Sequence, residues 1–236
     1  MVNNWLNIIQ KIQKKLLPPR CVLCGSPGYG DLDLCLGCLT DLPRNLSCCY
    51  RCGEHFETTI DVPQLCGRCL KKSPAFDETY APFLYQSQMR YLIGQLKFAN
   101  DYKNARLLAA LLAEHIADSA ELPDCLLPVP LHPKRYRERG FNQSIEIARH
   151  LSRQLGIPLD LHSCVRQRDT GHQTGLPAKQ RRKNMRLAFK IVKPLTFQHV
   201  AIIDDVMTTG ATASALAAAL KQAGAGKVDV WVCARA

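Results

Sequence analysis

His199-Val200-Ala201-Ile202-Ile203-Asp204-Asp205-Val206-Met207-Thr208-Thr209-Gly210-Ala211-Thr212 decides the architecture. Val200 to Ile203 is a short apolar run rich in β-branched side chains, the composition of a strand buried in a parallel sheet. Beyond the turn, Ser214 to Leu220 is rich in Ala and Leu and predicts a helix that Gly224 and Gly226 stop. Amides at a helix start have no partner within the helix, and the helix dipole adds positive potential there. Gly210 and Ala211 let a phosphate approach the backbone, while Thr208, Thr209 and Thr212 add hydroxyl donors, so the turn reads as an anion cradle. Asp204 and Asp205 suit the hydroxyls of a sugar carried on that phosphate, or a hard metal ion. The structural alternative is an ordinary strand–turn–helix with a well-capped start.

Upstream, strand and helix alternate, which predicts a mostly parallel α/β sheet. Strands are expected at 80–85, 124–130, 161–165, 188–192 and 228–233, and helices at 88–97, 101–118 and up to Leu155. Lys134, Arg135, Arg137 and Arg139 follow the strand ending in Pro128-Val129-Pro130, at the strand end where open α/β sheets bind ligands. Arginine's planar fork of donors could neutralise a pyrophosphate. Asn142 is placed to cap the next helix. The polar, basic stretch 166–186 reads as a lid over a reaction centre or as a basic surface loop. Cys125, Cys164 and Cys233 fall in apolar strands and read as small buried residues.

Four Cys-x-x-Cys pairs stand between Cys21 and Cys69: Cys21/Cys24, Cys35/Cys38, Cys49/Cys52 and Cys66/Cys69. Each two-residue spacer lets both thiolates face one tetrahedral ion, and such a run is a strong metal signature. Two structural zinc sites, each of four cysteines, are expected in a double zinc ribbon, with pairing in sequence order first and interleaved or single-site pairings as alternatives. Gly25, Gly37, Gly53 and Gly67 suit tight knuckle turns. Disulfides are the competing reading; the absence of an export signal weighs against them and favours the cytoplasm. His55 could stand in for a cysteine or sit in solvent.

The 236-residue chain carries a net charge of +11, which favours phosphates, nucleic acid or an acidic surface. Val2 to Leu17 has helical spacing of Trp5, Ile8, Ile9, Ile12 and Leu16 but is too polar to span a membrane. It suits packing on the body or on a partner, or lying on a membrane surface. The polar break Lys71-Lys72-Ser73-Pro74 suggests three segments: an N-terminal helix over 1–18, a zinc ribbon over 19–72 and an α/β domain over 76–236.

The stretch Asp204 to Thr212 closely resembles the phosphoribosyl pyrophosphate (PRPP) motif of type I phosphoribosyltransferases. The whole chain resembles the ComF/GntX family. The matching residues are the four Cys-x-x-Cys pairs, Leu96-Lys97, Pro128-Val129-Pro130-Leu131-His132 with Arg135, and Arg139-Gly140-Phe141-Asn142-Gln143. Gln173-Thr174-Gly175-Leu176 and Arg181-Arg182-Lys183-Asn184 continue the match. The resemblance implies a type I phosphoribosyltransferase-like sheet behind a zinc ribbon, bacterial origin, a cytosolic site of action and a part in natural transformation.

It further implies that Asp204 and Asp205 hold the ribose, and that Val206 to Thr212 form the 5-phosphate loop. Mg²⁺ would bridge sugar and pyrophosphate, and Arg135, Arg137 and Arg139 would hold the pyrophosphate. Lys97 enters as a further site candidate, and Gln173, Lys179, Arg181 and Arg182 as the loop over the site or over DNA. With no chain beyond Ala236, either the zinc module is expected to cover the site or no base pocket is expected. Three roles follow: a phosphoribosyltransferase with an unidentified acceptor, a catalytically silent PRPP-sensing protein that binds single-stranded DNA, or an adaptor for a competence helicase or recombination protein.

Overall fold

In the computed structural model, which describes residues 18–98, 101–167 and 188–236, the decisive strand is longer than its apolar run. Strand β6 covers His199–Met207 and so carries both acids within it. Pairing explains the extension: Val206 and Met207 are still in register with Ala234 and Arg235 of strand β7, Lys227–Arg235. On its other side β6 pairs with β3, Cys125–Pro128, and β7 carries two short edge strands, β1 (Thr79–Tyr80) and β2 (Phe83–Leu84). All these pairings are parallel, in the order β1, β7, β6, β3, with β2 also on β7. The strand expected over 80–85 is thus broken at Ala81-Pro82. The Pro82 carbonyl instead accepts from the Asn45 amide at 2.9 Å.

Helices cover both faces. Helix α7, Ala211–Gln222, lays Leu216 and Leu220 on Val200, Ile202, Val228 and Val230. The opposite face takes α4, Tyr102–Ser119, with α6, Gln143–Leu155, packed beside it. Asp101 caps α4 through its side chain on the Lys103 amide. Helix α3, Ser87–Phe98, packs on α4. The basic stretch after β3 is a short helix, α5 over Pro133–Arg139, started by Pro133 and closed at Gly140. Strand β4 (Cys164–Arg166) pairs antiparallel with β5 (Phe189–Ile191), outside the main sheet. The segment between them, like the expected N-terminal helix over Val2–Leu17, lies outside the described residues.

The chain divides into two compact units, residues 1–42 and 43–236. The second cysteine cluster and the polar stretch 71–74 fall in the larger unit. The two knuckles share local construction: Gly25 and Gly53 donate to the carbonyls of Cys21 and Cys49, at 2.8 and 2.7 Å. Both glycines adopt positive φ, 79° and 65°, a region costly for other residues. Gly37 and Gly67 do not; they lie in short helices, α1 (Leu36–Thr40) and α2 (Gly67–Lys71), that open directly after Cys35 and Cys66.

Candidate functional site

The carboxyl ends of β6 and β3 open onto a cavity of about 360 Å³. Its wall brings together Lys97, Arg135, Arg139, Asp204, Asp205, Thr209, Ala211 and Thr212 from the sequence expectation. Val206, Met207, Thr208 and Gly210 line a smaller adjoining space of about 50 Å³, shared with Thr209, Ala211 and Thr212. Arg137 does not reach the cavity and is exposed. The reason is helical: Arg135 and Arg139, four residues apart, share one side of α5, whereas Arg137 points away. Gln173, Lys179, Arg181 and Arg182 lie outside the described residues.

The two acids occupy different settings. Asp205 is buried; Lys97 Nζ forms an ion pair with its Oδ2, and Gln143 Nε2 donates to its Oδ1 at 3.4 Å. Asp204 is half-buried at the cavity wall. Its Oδ1 accepts from Ser144 Oγ at 2.8 Å and from the Asp205 amide at 2.9 Å. Burial, reinforced by the Asp205 carboxylate beside it, pushes the Asp204 carboxyl up to about 7. Among the described lining residues the uncharged polar donors are the amide of Gln143 and the hydroxyls of Ser144, Thr209 and Thr212. The two carboxylates are the ligand type a hard divalent ion such as Mg²⁺ takes, but four cations share the lining, so such an ion fits only alongside an anionic ligand.

Local sequence explains the placements. Asn142 Oδ1 accepts from the Ser144 amide at 3.0 Å, and Asn142 Nδ2 donates to the Val129 carbonyl at 3.0 Å. One buried side chain therefore starts α6 and ties it to the end of β3, which aims Gln143 and Ser144 at the acids. Arg139 donates to Gln143 Oε1 at 2.6 Å, linking the basic helix to the same point. Sequence reasoning missed Gln143 and Ser144 as lining residues, and had Arg166 only as the first residue of the basic stretch read as a lid or surface loop. The capping signal at Asn142 could have found the first two. Arg166 reaches the wall only through the β4–β5 pairing, and its guanidinium also sits over the Phe189 ring at 5.7 Å.

At the turn that follows β6, Gly210 caps α7 with φ 74°, and Thr209 Oγ1 accepts from the Ala211 amide at 3.3 Å. The remaining amides of the first turn supply the donors expected of an anion site. Cys233 is fully buried, and burial raises its thiol well above the ordinary range, so it serves packing and not nucleophilic attack.

The cysteines form two groups, Cys21/Cys24/Cys35/Cys38 and Cys49/Cys52/Cys66/Cys69, each with its sulfurs within 4.8 Å of one another. Cys24–Cys35 and Cys52–Cys66 Sγ atoms are 3.6 Å apart. A tetrahedral ion with arms of about 2.3 Å has sulfur edges of about 3.8 Å, whereas a disulfide needs about 2.05 Å. The thiols are free, and within one group they pull apart electrostatically: a hydrogen bond with Ser26 lowers Cys24 to about 6, while hydrogen bonding to Cys35 raises Cys38 strongly. Four thiolates share such a space only around a cation. Both groups fit zinc, and all-cysteine ligation leaves no open position for chemistry. His55 stands aside, exposed as one of the two readings had it, with Nδ1 3.1 Å from Asn45 Oδ1.

The double zinc ribbon domain family matches residues 12–70. Over 226 residues the chain is 34% identical to the DNA utilization protein YhgH of Salmonella typhimurium, covering 93% of this chain and 98% of that protein. It is 34% identical over 227 residues to Competence protein F of Haemophilus influenzae, covering 92% and 97%. To Competence protein ComFC of Streptococcus pneumoniae it is 27% identical over 233 residues, covering 92% and 100%. Among solved structures, a purine phosphoribosyltransferase from Pyrococcus horikoshii matches 55% of this chain and 80% of that one, with 20% identity and a TM-score of 0.34. No described helix is long and apolar enough to cross a membrane.

Proposed function

The chain belongs to the ComF/GntX family, and from that premise we propose that its larger unit binds PRPP together with Mg²⁺ in the service of DNA utilisation. The supporting observation is the cavity that gathers Asp204, Asp205, the Thr209–Thr212 turn and the cations Lys97, Arg135 and Arg139 on one wall. Its volume lies within the usual range for small-ligand sites. In this reading the 5-phosphate takes the amides and hydroxyls of Thr208 to Thr212. Asp204 and Asp205 accept from the ribose hydroxyls, and the guanidinium groups of Arg135 and Arg139 face the pyrophosphate.

Transfer of the phosphoribosyl group to an acceptor breaks the C1–O bond, with its electron pair leaving on pyrophosphate. A positive charge then spreads over C1 and the ring oxygen. Lys97, Arg135 and Arg139 stabilise the departing charge, and Ser144 and Gln143 keep the two carboxylates turned toward the sugar. Mg²⁺, when bound among Asp204, Asp205 and the ligand's oxygens, would supply further neutralisation of the pyrophosphate. No protein nucleophile is required.

The relatives' names, competence and DNA utilization proteins, support a role in handling imported DNA. The basic residues Lys179, Arg181 and Arg182 are assigned to single-strand contact, with the expected strong salt dependence. The test of the site is calorimetric: wild-type protein with Mg²⁺ binds PRPP, and the Asp204→Asn/Asp205→Asn double variant does not. Binding that is absent in the wild type, or unchanged in the variant, overturns the reading. Pyrophosphate release with candidate acceptors then decides whether transfer follows binding.

A further inference from the structure

The turn that ends β6 is held at both ends by the second cysteine knuckle. At Met207 the holder is Arg235, whose side chain is 4% exposed. Its Nε donates to the Cys52 carbonyl at 3.1 Å and its NH1 to the Met207 carbonyl at 3.3 Å. Its NH2 pairs with Glu54, and Glu54 pairs in turn with Arg68, which lies between Cys66 and Cys69. A single buried guanidinium thus joins both halves of the knuckle to the last residue before the phosphate turn.

At Gly210 the holder is Phe76. Arg51, between Cys49 and Cys52, donates to the Phe76 carbonyl at 2.9 Å. The Phe76 ring lies against Gly210, where an added Cβ would stand 3.6 Å from its Cζ. The neighbouring Ala75 amide donates to Ser214 Oγ on α7 at 3.1 Å. Cys49, Cys52, Cys66 and Cys69 belong to the same apolar cluster as Phe76, Met207 and Leu216.

We propose that metal occupancy of the Cys49/Cys52/Cys66/Cys69 site sets the conformation of the Thr208–Thr212 turn, with Arg235, Glu54, Arg51 and Phe76 as positioning residues. The part concerning PRPP rests on the reading given above. A zinc knuckle owes its fold to its metal. Once the knuckle opens, Arg235 loses the Cys52 carbonyl and Glu54 together and keeps the carbonyls of Met207 and Ala236 through NH1, and a buried guanidinium with Nε and NH2 stripped of these acceptors is costly. It must move, and Met207 and the turn move with it. Coupling of this kind is reciprocal: zinc favours anion binding, and the bound anion retains zinc.

The test uses the full chain loaded with two equivalents of zinc, probed by hydrogen exchange over 206–213, by zinc release to a chromogenic chelator and by PRPP titration with Mg²⁺. The Cys66→Ser variant loses exchange protection over 206–213, whereas Cys35→Ser, in the other compact unit, keeps it. Arg235→Lys keeps both zinc equivalents and a cation beside Glu54, yet exchanges faster over the same residues. Saturating PRPP slows the loss of one zinc equivalent, and Arg235→Lys weakens PRPP binding, each by about tenfold, a typical size for site-to-site coupling.

Unchanged exchange in a folded Cys66→Ser or in Arg235→Lys overturns the proposal. If Cys66→Ser does not fold, Arg235→Lys and the wild-type release rates decide. Exchange that responds as stated in a protein that binds no PRPP leaves the coupling standing and removes the ligand reading instead.

Discussion

The two ends of the central strands β6 and β7 both bury an acid against a cation, and the carboxyl end also borders the cavity proposed as the ligand site. At the amino end Asp229 is fully buried, with its Oδ2 2.6 Å from His199 Nε2 and 3.5 Å from Lys227 Nζ. Lys227 also reaches Glu121 at 3.1 Å, and Asp124 accepts from the amides of Gln198 and His199. At the carboxyl end Asp205 is held in the same way by Lys97, but beside it Asp204 faces a cavity that four cations and two acids line. The surplus of positive charge and the open space, and not the buried pair, separate a ligand site from scaffolding. A buried ion pair alone says little about function.

That contrast can be broken first at the acids. Asp204→Asn with Asp205→Asn should weaken PRPP binding by at least ~100-fold, a size in keeping with loss of charged hydrogen bonds. His199→Ala should leave binding within about threefold. Calorimetry on both variants checks the pair, and a binding loss in His199→Ala would erase the distinction.

Stability should show the reverse order. His199→Ala removes the shorter of the two contacts to the buried Asp229, leaving Lys227, and should cost about 3 kcal/mol, measured by denaturant unfolding. Asp204→Asn should stabilise the ligand-free protein. The carboxyl of Asp204 is raised to about 7 when folded, so its native state binds the proton more tightly than the unfolded chain. Its contribution is therefore favourable at low pH and is lost as pH rises through 7. The gain from Asp204→Asn should be absent near pH 4, grow as pH rises from there, and reach its full size above pH 7.

The same titration predicts a pH dependence of binding. The proposed site uses the Asp204 carboxylate, so PRPP affinity should fall by up to about tenfold for each unit below pH 7, with pyrophosphate as a control for the ligand's own protonation. Flat affinity between pH 6 and 8 would contradict the role given to Asp204. The smallest effect is at Arg137. Arg139→Ala should weaken binding about tenfold, and Arg137→Ala less than about twofold, because only Arg139 lines the cavity. Equal losses would return the basic segment to the pyrophosphate site as a whole.

These expectations trace how much could be read from the chain. Where the determinants are local, the reading carried through to structure. Apolar run, acids, hydroxyl-rich turn and helix follow one another between His199 and Gln222. The Asn142 cap and each Cys-x-x-Cys pair depend on spacings of a few residues, and successive pairs group across 11 and 14 residues. Where the determinant is a distant partner, the reading stopped short. Strand β6 continues through the acids because β7, some twenty residues later, stays paired with it. The cations after β3 were expected to act together, but the helix that starts at Pro133 turns Arg137 outward. Ser144 reaches Asp204 across 60 residues of sequence, and no local pattern announces such a contact. Nor could spacing tell that one knuckle is built into the sheet's core.

The most direct measurement is diffraction from crystals soaked with PRPP and Mn²⁺ in place of Mg²⁺, using the anomalous signal to find the ion. The account predicts a phosphate on the amides of Thr208 to Thr212, the sugar against Asp204 and Asp205, and an anomalous peak beside Asp204. Density for PRPP elsewhere on the molecule, or a clear map of this cavity with neither sugar nor ion at saturating ligand, would contradict it.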